Sequence, residues 1–227
     1  MTTLPVSTAG ARQPEPHELY VPGHHWRNAR DEAEAAKLGM WLFLGTEILL
    51  FAGFFCAYAI FRTWYPENWH DASRHYLSWQ IGAANTVVLL LSSFTIVMAI
   101  RGAQTNRRGM MMVNLLITNL CALFFLVVKI GWEYLPKIEA GKLPGGYFTY
   151  ADPHGAYDHI FMSIYWISTA THGFHVLVGI FFISWCMWKG MKGHYGPKHF
   201  TSLENVGLYW HIVDIIWIFL FPLLYLV

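Results

Sequence analysis

The sequence predicts an all-α integral membrane protein, a bundle of five transmembrane helices with the N-terminus inside and the C-terminus outside. Three observations carry that reading. Only 13% of the 227 residues are charged, against about 25% in a soluble domain. Hydrophobic residues make up 55%, and they fall in long blocks. Five of those blocks reach the roughly 20 apolar residues a helix needs to cross the hydrocarbon core. The net charge of +1 excludes a nucleic-acid binder that works by bulk electrostatics.

Residues 1–36 read as an extramembrane segment. They contain Pro5, Pro14, Pro16 and Pro22, then the mixed-charge run Arg30-Asp31-Glu32, and end in a short helix leading into the membrane. The domain that follows, 37–227, holds the five spans. The first, about 38–61, lies between Lys37 and Arg62. It starts too far into the chain, and runs too long, for a cleaved signal peptide. The second, about 80–100, stops at Arg101, and the third, about 110–134, follows Arg107 and Arg108. The fourth, about 160–188, stops at Lys189, and the fifth is about 203–227. In lipid each segment must satisfy its own backbone polar groups, so these blocks are helices. The short alternating segments of a β-barrel are not seen.

Orientation follows the distribution of positive charge. One side receives Arg12, Arg27, Arg30, Lys37, Arg101, Arg107, Arg108, Lys189, Lys192 and Lys198. The other receives Arg62, Arg74, Lys137 and Lys142, with Lys129 near a helix end. The richer side is the inner one. Trp64, Tyr65, Trp69, Tyr76 and Trp79 read as an aromatic belt on the outer side. Cys56, Cys121 and Cys186 all fall within spans and read as buried thiols in apolar roles.

Ionisable groups inside a bilayer are expensive and face a bundle interior or a cavity. Glu47 lies in the first span, His172 and His175 in the fourth, His211 and Asp214 in the fifth. With a rise of about 1.5 Å per residue these five fall within about two turns of mid-depth. They form one polar layer across three helices. His172 and His175 share a helix face, as do His211 and Asp214, and Glu204 continues the latter stripe. Pairing each histidine with a carboxylate would satisfy the layer. Asn85, Thr86, Asn114 and Thr118 offer further interhelical hydrogen bonds. The layer admits three readings: a structural hydrogen-bond network, a lipid-headgroup or proton-linked site, and a transition-metal site. The helical zinc pattern and the histidine boxes of membrane di-iron enzymes are missing, and so are the phosphate-loop, nucleophile-elbow and dinucleotide signatures.

Five segments, in order, form one pattern. They are Gly39-Met40-Trp41-Leu42-Phe43-Leu44-Gly45-Thr46-Glu47; Asn85-Thr86 with Leu89-Leu90-Leu91-Ser92-Ser93; Glu133-Tyr134; Thr171-His172-Gly173-Phe174-His175-Val176, completed by Gly179; and the run Glu204 to Trp217. They are similar, in turn, to GMWLFLxSE (with Thr46 where Ser is usual), NTxxLLxSS, an EY pair, GxHGxHVxxG and ExxxxYWHFVDxVW. In these motifs the chain resembles the subunit III family of haem-copper respiratory oxidases, most closely cytochrome c oxidase subunit III in its five-helix form.

The resemblance implies a non-redox accessory subunit of a proton-pumping terminal oxidase of the aerobic respiratory chain. Such a chain carries no cofactor itself, and haem and copper reside in partner subunits. It packs against oxidase subunits I and II, binds membrane phospholipid and sustains proton uptake. The position of Glu47 is the family's carbodiimide-reactive carboxylate, here expected as a neutral acid buried without a partner. Lys189 matches a basic position that contacts lipid phosphate, with His199 and Glu204 near the same inner surface. Larger members have seven helices, the first two walling a lipid-filled cleft, and segments for those two are not found here. The implied setting is a bacterial inner membrane. A quinol oxidase subunit III and a nitric oxide reductase accessory subunit fit the same motifs. From other classes, a stand-alone metalloenzyme would use His172, His175, His211 and Asp214. A small transporter is disfavoured by the lack of repeats and broken paired helices.

Overall fold

The protein is described from a computed structural model, over residue 21, residues 23–150 and residues 155–227. Most of the N-terminal segment, including Pro5, Arg12, Pro14, Pro16 and Pro22, lies outside the described residues. The helices are α1 (Ala29–Trp64), α2 (Pro66–Tyr76), α3 (Trp79–Gln104), α4 (Arg108–Val128), α5 (Leu135–Glu139), α6 (Asp158–Met191) and α7 (Thr201–Tyr225). No strand occurs among the described residues, beyond two isolated bridges. Five helices are long and apolar enough to cross a membrane: α1, α3, the continuous stretch Arg108–Glu139, α6 and α7. The all-α, five-span architecture expected from the sequence is the one observed.

Local chemistry sets the helix ends. Asn28 caps α1 by accepting from the Asp31 backbone N–H at 2.8 Å, and Asp31 and Glu32 occupy its first turn. Acidic residues there complement the helix dipole. α1 has 36 residues, about 54 Å of helix, so it exceeds the roughly 30 Å hydrocarbon thickness. Pro66 opens α2, where its missing N–H costs nothing. That short helix buries Trp69, Ala72, Ser73 and Tyr76. The aromatic belt therefore splits: Trp64 and Trp79 stay exposed, but Trp69 and Tyr76 turn into the core. Cys186 is buried, Cys121 half-buried and Cys56 exposed on an outward face. The thiol of Cys56 thus faces the surroundings of the bundle, because α1 is a peripheral helix.

The bundle has two distinct ends. Arg108 donates to the Met191 carbonyl, and Lys37 pairs with Glu204 at 2.8 Å, so the starts of α1, α4 and α7 meet the end of α6. This is the basic end. At the opposite end Tyr58 donates to the Leu223 carbonyl, Ser73 donates to the Leu224 carbonyl at 2.7 Å, and Tyr76 donates to Asp158 at 2.7 Å. Two of the last carbonyls of α7, which have no partner within their own helix, are thereby satisfied by α1 and α2. The described parts of the long 135–157 connection lie at this loop end.

α3 and α4 form the most extensively packed pair. A Cβ on Gly102 would come within 2.7 Å of the Met111 backbone nitrogen, so a side chain there would separate the two helices near their turn. α7 is the central helix: half of its apolar window is buried within the protein, against 17% for α1. Its large rings Trp210 and Trp217 are fully buried. Between α4 and α5 the chain takes a π-helical turn, Lys129–Tyr134. Such turns carry an extra residue and often mark functional positions. Here the turn points both Lys129 and Glu133 into the core.

Candidate functional site

The five residues of the expected polar layer do not form one cluster. His175, on α6, receives Glu47 of α1 across 2.8 Å from Nε2 to Oε2. Its other nitrogen, Nδ1, lies 2.7 Å from the Thr171 carbonyl oxygen. A carbonyl only accepts, so Nδ1 carries a hydrogen. The Glu47–His175 contact then holds one proton, carried either by the carboxyl or by the ring. The expectation of a partnerless acid is corrected: Glu47 has a histidine partner. Neither side chain is sealed, with 15% and 13% exposure respectively. Phe51 packs edge-on against the His175 ring, and Tyr209 donates to the His175 carbonyl at 3.0 Å.

The other three members face different surroundings. His211 Nδ1 lies 2.7 Å from the Ser93 hydroxyl of α3, so its partner is a serine rather than a carboxylate. His172 is fully buried between Phe125, edge-on at 5.6 Å, and Trp217, stacked at 5.0 Å. Neither of its nitrogens has a hydrogen-bond partner among the described residues, and neither carboxyl oxygen of Asp214 has one. Ser93, which also lies near the Asp214 carboxyl, is engaged by His211. Pairing of Asp214 with a histidine is therefore not observed. Side chains three apart on a helix share a face, and both His211 and Asp214 lie near Ser93 of α3, with His211 Nδ1 at 2.7 Å. The four residues of the metal reading never converge. Among the described residues no group of three or more His, Cys, Asp or Glu side chains is placed to hold a metal.

The interhelical hydroxyls and amides behave in the same divided way. Thr86 accepts from Trp217 Nε1 at 3.0 Å, and Thr118 meets Thr95 at 2.7 Å. Asn114 turns back to its own helix, onto the Met110 carbonyl, and Asn85 finds no protein partner among the described residues. A groove of about 630 Å³ runs between α1 and α7, lined by apolar residues such as Trp41, Ile48, Phe55, Ile215 and Phe219, with His211 as its one ionisable residue.

The most connected polar cluster lies at the loop end, on residues given no site role from the sequence. Lys129 Nζ donates to Glu133 Oε2 at 2.6 Å and to the Tyr165 hydroxyl at 3.2 Å, and contacts the Tyr225 hydroxyl. The same carboxylate oxygen accepts from Tyr165 at 2.7 Å and Tyr225 at 2.5 Å. Lys137 donates to the Glu133 carbonyl at 3.3 Å. The Lys129 ammonium is also about 5 Å from the rings of Tyr165, Tyr225 and Trp217. Lys129 read from the sequence as a cation near a helix end. The missed signal was the spacing Lys129, Glu133, Lys137 at i, i+4, i+8, followed by tyrosines at two other helix ends.

At the basic end, Lys189 and His199 line a polar groove of about 290 Å³ with Lys198, Ser202 and Asn205. Deeper along the same helices, Ser202 and Asn205 also border an apolar slot of about 310 Å³, walled by Met40, Phe43, Phe182, Trp185, Val206 and Tyr209. The Lys189 ammonium stands 4.0 Å over the Trp185 ring and that of Lys192 3.7 Å over Trp188. Cations on long stems above interfacial indoles are characteristic of a membrane boundary. Glu204 sits apart from the groove, paired with Lys37.

Comparison with known proteins gives one family. The family description "Cytochrome c oxidase subunit III" matches residues 17–227. A relative named cytochrome c oxidase subunit 3 from Prototheca wickerhamii is 29% identical over 212 residues, covering 89% of this chain and 72% of the relative. Relatives of the same name from Litocranius walleri and Antilope cervicapra are each 28% identical over 217 residues, 92% of this chain and 74% of theirs.

Proposed function

Because the chain belongs to the cytochrome c oxidase subunit III family, we propose that it is the non-redox accessory subunit of a proton-pumping haem-copper terminal oxidase that takes electrons from cytochrome c. The observation that carries this reading is the match over residues 17–227, which takes in all five membrane-spanning helices. Integral membrane placement and membership of an oxidase complex follow from the family and the five spans. In the proposal, haem and copper reside in partner subunits I and II, and this chain stabilises the catalytic subunit. The N-terminus faces the inner compartment, which puts the basic end at the side of proton uptake. The membrane is a bacterial inner membrane.

Two features support the finer roles. The polar groove with Lys189 and His199, continuing into the apolar slot, has the division that a phospholipid needs, an anion-binding head region and a dry chain region. Glu204, the third residue expected at a lipid site, is instead paired with Lys37 between α1 and α7. The Glu47–His175 pair, holding one proton at mid-depth, supports a part in keeping proton entry to the catalytic subunit open.

The test is a pull-down of the tagged chain from its own membrane in gentle detergent, with a visible spectrum, subunit identification and phospholipid analysis of the eluate. The expected result is haem absorbance with a large histidine-rich partner, and a Lys189→Met variant that retains the partner but loses at least one bound phospholipid per complex. A colourless chain that elutes without partners and carries stoichiometric metal defeats the accessory reading. Unchanged phospholipid content in the Lys189→Met complex removes the lipid site.

A further inference from the structure

The groove between α1 and α7 is long, narrow and apolar, with a single ionisable side chain in its lining. It runs from Trp41 to Phe55 along α1 and from Leu208 to Phe219 along α7, about 16–21 Å at the helical rise per residue. Its volume of about 630 Å³ spread over that length gives a cross-section of about 30–40 Å². Gly45 and Ala52, two turns apart on one face of α1, keep that wall low, and a Cβ on Gly45 would meet nothing within 4 Å. Phe55 and Phe219 meet across the two helices edge-on at 6.3 Å.

The polar side chain in this groove can act in two ways. His211 stands about midway along α7 and is half-buried. Its Nδ1 lies 2.7 Å from the Ser93 hydroxyl of α3, so Nε2 is the nitrogen it can offer to an occupant. A hydroxyl both donates and accepts. When Ser93 donates to Nδ1, a neutral ring carries its hydrogen on Nε2. When Nδ1 donates to Ser93, Nε2 presents a lone pair. The same side chain can therefore receive a carbonyl or a hydroxyl.

Width and chemistry together select the occupant. A partner's transmembrane helix is about 10–12 Å across, a section of about 80 Å² or more, so it could lay only side chains in the groove. A phospholipid chain fits the width but brings only methylenes to the middle of a span, because its ester and head-group oxygens stay at the interface. A polar group buried against hydrocarbon alone is costly. A flat ring edged with carbonyl or hydroxyl oxygens, on a long hydrocarbon tail, fits both the width and Nε2. Sites for such ligands are apolar and aromatic-lined, about 300–1,000 Å³ in volume, with few polar groups to fix orientation.

We infer that the groove binds an isoprenoid quinone, in its oxidised or its reduced form, with one ring oxygen hydrogen-bonded to His211 Nε2 and the tail lying along α1. The inference is of binding alone, with no electron passed to or from this chain. The site is separate from the polar groove of Lys189 and His199 at the basic end, with which it shares no lining residue.

The test uses the purified oxidase complex, depleted of quinone by detergent exchange, with decylubiquinone as the probe in equilibrium dialysis. The expected result is saturable binding at one site per complex. Gly45→Leu, which fills the groove from a position open around its Cβ, should abolish that site. His211→Leu should weaken it about 2–10-fold, the worth of one hydrogen bond. Decylubiquinone that does not bind, or that binds the Gly45→Leu complex as it binds wild type, overturns the inference. A density map of the wild-type complex with a phospholipid chain or a partner's helix filling the groove, and no ring against His211, overturns it as well. Where His211→Leu does not assemble, Gly45→Leu and the wild-type map decide.

Discussion

Lys129 and Glu133 at the loop end are as buried as His172 and Asp214 at mid-depth, all at 2% exposure or less. Their surroundings are opposite. The loop-end pair is cross-linked by two tyrosine hydroxyls, a second lysine and several aromatic faces. His172 is set among rings with no hydrogen bond to the protein among the described residues, and the Asp214 carboxyl lies near a Ser93 hydroxyl that is engaged by His211. Burial alone therefore does not define a functional polar residue. At the loop end charge is buried together with its compensation. At mid-depth the groups that do find partners, Glu47 with His175 and His211 with Ser93, sit where exposure is larger.

Four predictions break or sharpen this contrast. The largest effect belongs to Lys129→Met, which leaves a carboxylate buried with two phenols and one lysine at 3.8 Å. Breaking a buried pair from one side costs about 3–5 kcal/mol. The thermal midpoint of the chain in its complex should fall sharply, and adding Glu133→Gln should recover part of the loss. A midpoint within error of wild type would mean that the cluster is not a compensated ion pair. Next is Glu47→Gln, which should abolish carbodiimide labelling and cost about 0.5–1.5 kcal/mol, the worth of one hydrogen bond. Labelling that persists at full stoichiometry assigns the reactive carboxyl elsewhere. Ser93→Ala should cost less than Glu47→Gln, because the half-exposed His211 can turn toward the groove between α1 and α7. A larger loss than for Glu47→Gln would invert the proposed order of the two mid-depth contacts.

The smallest effect is a pH dependence at the loop end, outside the spans. The Lys142 ammonium lies 4.2 Å from the Tyr150 ring and 4.7 Å from the Tyr76 ring, and partial burial holds its pKa below the ordinary lysine value. The unfolded chain then binds more protons than the folded one between that depressed value and about 10.4. Stability should rise with pH through this window and be fully gained above it. Lys142→Met should flatten that rise. An unaltered slope in the variant would assign the titration to another group.

The fold was legible in the sequence because the bilayer permits so few backbone arrangements. Five apolar blocks bounded by Lys37, Arg62, Arg101, Arg107 and Lys189 left little choice but five helices. The helix that carries each of Glu47, His175 and Asp214 followed from the same blocks. What could not be read was rotation about each helix axis. His211 and Asp214 share a stripe and both lie near Ser93, but nothing in spacing says that α3 is the helix this stripe meets. The π-helical turn escaped for a related reason. A hydrophobic run carries no signal for one extra residue in a turn, and that turn spans both Lys129 and Glu133.

The placement of α1 has a consequence for how the chain is made. α1 packs on α2, α6 and α7, and has no contact with α3 or α4. Two of its partners, α6 and α7, thus leave the ribosome well after it, and after α3 and α4. The Tyr58 bond to the Leu223 carbonyl spans 165 residues, and the Glu47–His175 contact spans 128. At about 5–20 residues per second, the first helix waits on the order of 10–30 s for the last. Through that interval Glu47 is without its histidine partner, and an unpaired ionisable side chain within a membrane span is costly. Synthesis order therefore makes the N-terminal helix the stage at which an insertion factor, or an early-docking subunit, has the most to protect.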